Sequence, residues 1–348
     1  MSNHKSLHQL GWSPSFQQQL SLEELETFTI GRVITQHRSR LEVETEAGIT
    51  SLPTTHAMPA MTVGDWLLLD LENHFYRALD RLTLFARKAA GSKVETQLIA
   101  ANVDTLFIVS SLNEEFNLNR IERYLAIAAE AGVEPVVVLS KADLCQDPDS
   151  YVQQIEAIDP ILRVVPVNGQ QSGSVAELNL WCTTGRTVAL LGSSGVGKST
   201  LVNTLLGGGH QATQGIRLDD SKGRHTTTGR SLHFIPSGGI LIDTPGMREL
   251  QLYDCEQGIE ESFSDITSLA EQCRFSDCAH QGEPGCAVES AIEQGKLDQR
   301  RLLNYQKLMR EQQQNSATIA QKRARDRALG RFYRSTLKAS QKLKKGTG

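Results

Sequence analysis

The sequence contains no run approaching the roughly 18 consecutive apolar residues of a membrane-spanning helix. Its first ten residues, Met1 to Leu10, lack the apolar centre of a signal peptide. A soluble, cytoplasmic protein with no membrane partner is expected. Cysteine is too sparse for a disulfide scaffold, at six in 348 residues, yet Cys273, Cys278 and Cys286 fall within fourteen positions. That clustering points to a metal rather than to disulfides. No internal repeat is visible, and neither sign of charge dominates, with 36 Lys and Arg against 40 Asp and Glu. With 39% hydrophobic residues, the chain can build two or three domains, which excludes a disordered polyelectrolyte.

The net charge of −4 conceals an asymmetry: residues 296–348 hold 15 Lys and Arg and 3 Asp and Glu, while the rest of the chain is acidic. A basic C-terminal segment on an acidic body suits contact with a polyanion, a solvated tail being the alternative. Residues 1–29 read as a polar, Gln-rich extension with a short helix. From residue 30 to 86, short alternating runs (Gly31–Ile34, Leu41–Thr45, Ile49–Leu52, Asp65–Leu71) predict a small β-barrel or sandwich. Residues 87–98 read as a linker. Residues 99–252 then alternate continuously apolar strands with helical patterns, which predicts a mainly parallel sheet covered by helices. Helical periodicity continues through 253–315, and 316–348 form a basic tail.

The sharpest motif is Gly192-Ser193-Ser194-Gly195-Val196-Gly197-Lys198-Ser199, followed by Thr200, between an apolar strand and an apolar helix. It fits a Walker A phosphate loop: backbone N–H groups wrap the phosphates, Lys198 spans the β- and γ-phosphates, and Ser199 offers a hydroxyl to Mg²⁺. About fifty residues on, Asp243-Thr244-Pro245-Gly246 ends a strand, placing Asp243 for the Mg²⁺ shell and the Gly246 N–H for a γ-phosphate. Between them, Gly223-Arg224-His225-Thr226-Thr227-Thr228 offers switch-loop hydroxyls, with Thr227 the candidate Mg²⁺ contact.

Choice of base rests on Ser140-Lys141-Ala142-Asp143, after the apolar Val136–Leu139. It resembles the [NT]KxD signature of GTPases, in which the Asp accepts from the guanine N1–H and amine and the Lys stem packs on the base. Ser140 departs from the usual Asn, and its short hydroxyl reaches only neighbouring backbone, a loss of about 0.5 to 1.5 kcal/mol per missing hydrogen bond. Asn168-Gly169 is a weak match to the motif whose N–H meets the guanine carbonyl.

Asp143 precedes Gly192, the reverse of an ordinary small GTPase, so the motifs are circularly permuted. In that order the chain resembles the ribosome small-subunit-dependent GTPase A family, RsgA or YjeQ, over residues ~30–310. The resemblance implies an N-terminal OB-type β-barrel, a permuted P-loop GTPase domain and a C-terminal, mainly helical zinc domain. It also implies GTP hydrolysis to GDP, with the small ribosomal subunit and its rRNA as partner.

Cys273, Cys278, His280 and Cys286 supply three thiolates and an imidazole, a closed tetrahedral set for one structural Zn²⁺. With no position left for water, such an ion serves folding. Met247 follows the DxxG motif where Ras-like proteins carry a water-orienting Gln, and a thioether cannot do that work. His225 is the candidate catalytic residue, an assignment the resemblance shares. RNA-binding material lies in Arg32, Arg38, Arg40, Arg77 and Arg81 with Phe75 and Tyr76, for which a solvated face over core aromatics is an equal alternative, and more strongly in the tail from Lys322 to Lys345. The expected protein is a monomeric checkpoint GTPase of late small-subunit maturation. The alternatives are a non-ribosomal P-loop NTPase and a nucleotide-gated RNA-binding module with little turnover.

Overall fold

The computed structural model describes residues 4–88, 96–207, 230–244, 247, 250, 252 and 255–316. His225, Thr226, Thr227, Thr228, Gly246 and the basic tail lie outside the described residues.

The chain opens on two short helices, α1 (Pro14–Gln17) and α2 (Leu22–Thr27), the second started by a Ser21–Glu24 capping box. The segment read as a polar extension is packed structure: Leu10 and Phe16 are buried with Trp66, Leu68 and Leu79, and the Trp12 ring meets Trp66 edge-on at 4.9 Å. Its scattered apolar residues form one face only after the chain has turned back on the barrel. Strands β1 (Thr29–Gln36), β2 (Arg40–Thr45), β3 (Gly48–Pro53), β4 (Trp66–Leu69) and β5 (Phe75–Ala78) pair antiparallel in the order β3-β2-β1-β4-β5. They curl, OB-like, around Val33, Leu41, Val43, Leu52, Leu67 and Leu69.

The polar stretch 87–98 is more than a linker. Arg87 and Lys88 end β6 (Leu84–Lys88), which pairs antiparallel with β7 (Thr96–Ala101), and Arg87 Nε donates to its register partner Gln97 at 3.0 Å. The polar ends of the two strands, Arg87-Lys88 and Thr96-Gln97, lie in the stretch that reads as a linker in the sequence.

An α/β unit follows: β8 (Thr105–Ser111), α3 (Leu118–Ala131), β9 (Glu134–Ser140), α4 (Pro148–Glu156), β10 (Arg163–Val167), α5 (Ser172–Val175), β11 (Thr187–Leu191), α6 (Lys198–Leu205), β12 (Arg230–Phe234) and β13 (Ile240–Asp243). Parallel strands β10-β9-β8-β11-β13 form its centre, with β8 buried at every residue. Antiparallel β12 then pairs with β13 on one side and β1 of the barrel on the other, so barrel and α/β unit share one sheet.

Arg32 locks this junction. Buried on β1, it donates to Leu10 O (2.6 Å), Thr187 Oγ1 (2.9 Å) and Asn102 O (3.0 Å), and burial pushes its pKa down to about 10 against the pull of Asp104 and Asp65. It is therefore no RNA contact. Arg77 and Arg81 are likewise engaged, with Glu24 at 2.7 Å and Asp65 at 2.6 Å, and Tyr76 stacks on Phe28. These acidic partners lie 53 and 16 residues away in the chain, so the sequence pattern alone does not show the pairing.

The last part is helical: α7 (Glu256–Ser262), α8 (Ser264–Ala270), α9 (Ala287–Glu293) and α10 (Gln299–Ser316). Helix α7 lies so close on α3 that a Cβ at Gly258 would stand 2.2 Å from Ala126 O. Glu122 of α3, 1% exposed, takes hydrogen bonds from Arg300, Arg301 and Asn304 of α10. Part of the basic excess counted from residue 296 is thus internal pairing.

Candidate nucleotide site and metal centre

The candidate nucleotide site lies at the C-terminal ends of β11, β9 and β13, where an open parallel sheet places its ligand crevice. Residues 192–197 turn from β11 into α6, with Gly197 at φ 91° as the N-cap. A side chain would strain that position, and at Gly192 a Cβ would stand 2.3 Å from Val109 O. Lys198 Nζ donates to Gly192 O at 2.7 Å and to Ser193 O, so its charge sits within the loop's curve. Lys198, Ser199, Asp243 and Thr244 line one small cleft. Thr244 Oγ1, buried there, has no hydrogen-bond partner among the described residues, an oxygen that adjoins Asp243 in the chain. Two hydroxyls and a carboxylate in one cleft are the hard-oxygen chemistry that Mg²⁺ takes.

The base motif is fastened to the phosphate loop. Ser140 Oγ donates to Val196 O at 2.5 Å, and Lys141, at φ 59°, donates to Gly195 O at 3.0 Å. Ala142 and Asp143 form the next turn, with the Asp143 carboxylate exposed beside the loop motif. The Asn168 N–H is occupied by Ser174 Oγ at 2.9 Å, which leaves Gly169 as the freer partner for a base carbonyl. Met247 is 2% exposed and packs into the core, so it contributes packing rather than a polar group to the site. On β12, His233 bonds Ser231 and is held below the usual histidine range by burial, with Asp243 pulling the other way.

Across the molecule, Cys273, Cys278, His280 and Cys286 bring their ligand atoms within 4.8 Å of one another. Cys273 Sγ lies 4.0 Å from Cys286 Sγ and 3.7 Å from His280 Nδ1, close to the ~3.8 Å edge of a tetrahedron with zinc–sulfur bonds of about 2.3 Å. His280 turns inward through a left-handed backbone, φ 57°. The Glu283 carboxylate accepts the N–H groups of Ala279 and Gln281, tying down the loop, and Cys286 caps α9. This Cys₃His cluster is compatible with a zinc ion.

A family model described as RsgA GTPase matches residues 78–253, half of the chain. The small ribosomal subunit biogenesis GTPase RsgA 2 of Vibrio parahaemolyticus is 58% identical over 342 residues, spanning 98% of this chain and 96% of that protein. The chain belongs to the RsgA GTPase family. It is accordingly a GTPase, a hydrolase acting on GTP. Among solved structures, YjeQ from Thermotoga maritima superposes with a TM-score of 0.62 at 27% identity, covering 82% of this chain and 98% of that one. YloQ, described as a circularly permuted GTPase, gives 0.58 at 21% identity over 83% and 96%, a likeness of fold. Among the described residues of this RsgA-family chain, no helix is long and apolar enough to cross a membrane.

Proposed function

We propose that this RsgA-family protein is a cytoplasmic checkpoint factor of small ribosomal subunit maturation, docking in its GTP form and leaving as the GDP form after subunit-stimulated hydrolysis. Residues 192–200 hold the phosphates, with Lys198 meeting the β- and γ-oxygens; Ser140, Lys141, Ala142 and Asp143 hold guanine; Gly246 senses the γ-phosphate. Ser199, Asp243 and Thr227 would hold the Mg²⁺ that accompanies GTP, which would supply neutralisation of the phosphate charge. His225 orients the attacking water. Cys273, Cys278, His280 and Cys286 carry a structural Zn²⁺, and the tail 316–348 grips rRNA.

The observation that carries this reading is the pair of hydrogen bonds from Ser140 and Lys141 to the phosphate loop, which sets an exposed carboxylate, Asp143, beside that loop. The test is the GTPase rate with and without purified small subunits. Stimulation that His225→Ala abolishes while GTP still binds supports it; an unstimulated rate sinks it. Removing residues 322–348 should weaken subunit association and flatten its salt dependence without altering GTP affinity.

A further inference from the structure

Helix α3 reaches the phosphate loop at one end and the C-terminal helices along its length. Arg120 stands in its first turn, where a cation opposes the helix dipole, and Asn117 already caps the Arg120 N–H at 3.1 Å. The side chain therefore does nothing for its own helix. Its Nη1 donates to Ser193 Oγ at 2.7 Å, while the acid paired with it, Glu115, is farther off at 3.5 Å and exposed. Ser193 O in turn accepts from Lys198 Nζ. The guanidinium thus holds the residue whose backbone holds the loop's lysine.

On the turns that follow, Glu122 binds Arg300 and Arg301, Arg123 pairs with Glu311, and Glu130 accepts the Gly258 N–H at 2.9 Å. Packed helices move as rods, so a shift of α7 or α10 displaces Arg120 as well.

We propose that Arg120 is a positioning residue for GTP hydrolysis: through Ser193 it sets the geometry of the phosphate loop, and through α3 it makes that geometry respond to load on the C-terminal domain. The proposal rests on residues 192–199 being the GTP site. Arg120 is partly exposed and pairs with a hydroxyl, so its removal acts on loop geometry with little effect on folding.

The experiment compares R120A, R120K, S193A and the R120A/S193A double variant with the wild type. It measures GTP affinity, basal kcat and KM, the ratio of subunit-stimulated to basal rate, and Tm. Both single variants should lose about fivefold in basal kcat with KM changed less than about twofold, the double variant should be no worse than either, and R120K should recover part of the loss. Tm should not move, and R120A should lower the stimulation ratio. An unchanged kcat, or losses that multiply in the double variant, overturns the positioning role. A fall in kcat with the stimulation ratio intact overturns the coupling. Failure of the wild type to bind GTP would bring down the functional reading itself, an outcome distinct from these.

Discussion

Ser140 Oγ donates to Val196 O at 2.5 Å, joining the end of β9 to the middle of the phosphate loop. The residue is 3% exposed, so the bond is shielded from water. Ser140→Ala removes it and leaves Val196 O short of a partner. GTP and GDP affinities should both fall by about fivefold, roughly 1 kcal/mol, with base preference intact; titration calorimetry with GTP, GDP and ATP checks this.

In the proposed reading, Asp143 acts on the base alone. Asp143→Asn replaces an acceptor by a donor and should reduce GTP affinity at least tenfold while improving that of XTP, whose base presents a carbonyl where guanine has an amine. Competition against a fluorescent GDP analogue reads both, and an unchanged GTP affinity would remove Asp143 from the site.

Zinc analysis of the purified protein should find one ion per chain. Cys286→Ala removes both a candidate metal ligand and the cap of α9, so the region 273–297 should lose protease resistance and the metal together. GTP affinity should survive, because the cluster shares no residue with the phosphate loop.

Arg32→Ala should be among the most destabilising single changes. It strands Leu10 O and Asn102 O and opens a space beneath Trp66, costing about 3 to 5 kcal/mol. Arg38→Ala, at an exposed position of the same barrel, should leave Tm unchanged. Thermal melts of the two variants make the comparison.

The phosphate loop, the base motif and the Cys₃His cluster were legible in the sequence because each is written in a few contiguous residues whose spacing carries the geometry. The strands and helices of the α/β unit were legible for a similar reason, since continuous apolar runs such as Val136–Leu139 announce burial on both faces. Arg32 was not. Its partners Leu10, Asn102 and Thr187 come from three separate stretches, and an arginine beside aromatics looks the same whether it faces RNA or a domain junction. Arg120 was hidden likewise, since only the fold brings α3 beside Ser193; its one local sign was a cation in a first helical turn.

The two-residue pairing of β1 with β12, Thr35 with Ser231 and Gln36 with Arg230, has a practical side. Cutting the barrel away would strip β12 of its neighbour and leave open backbone donors and acceptors along an edge. The hydrolase half prepared by itself should self-associate through that edge.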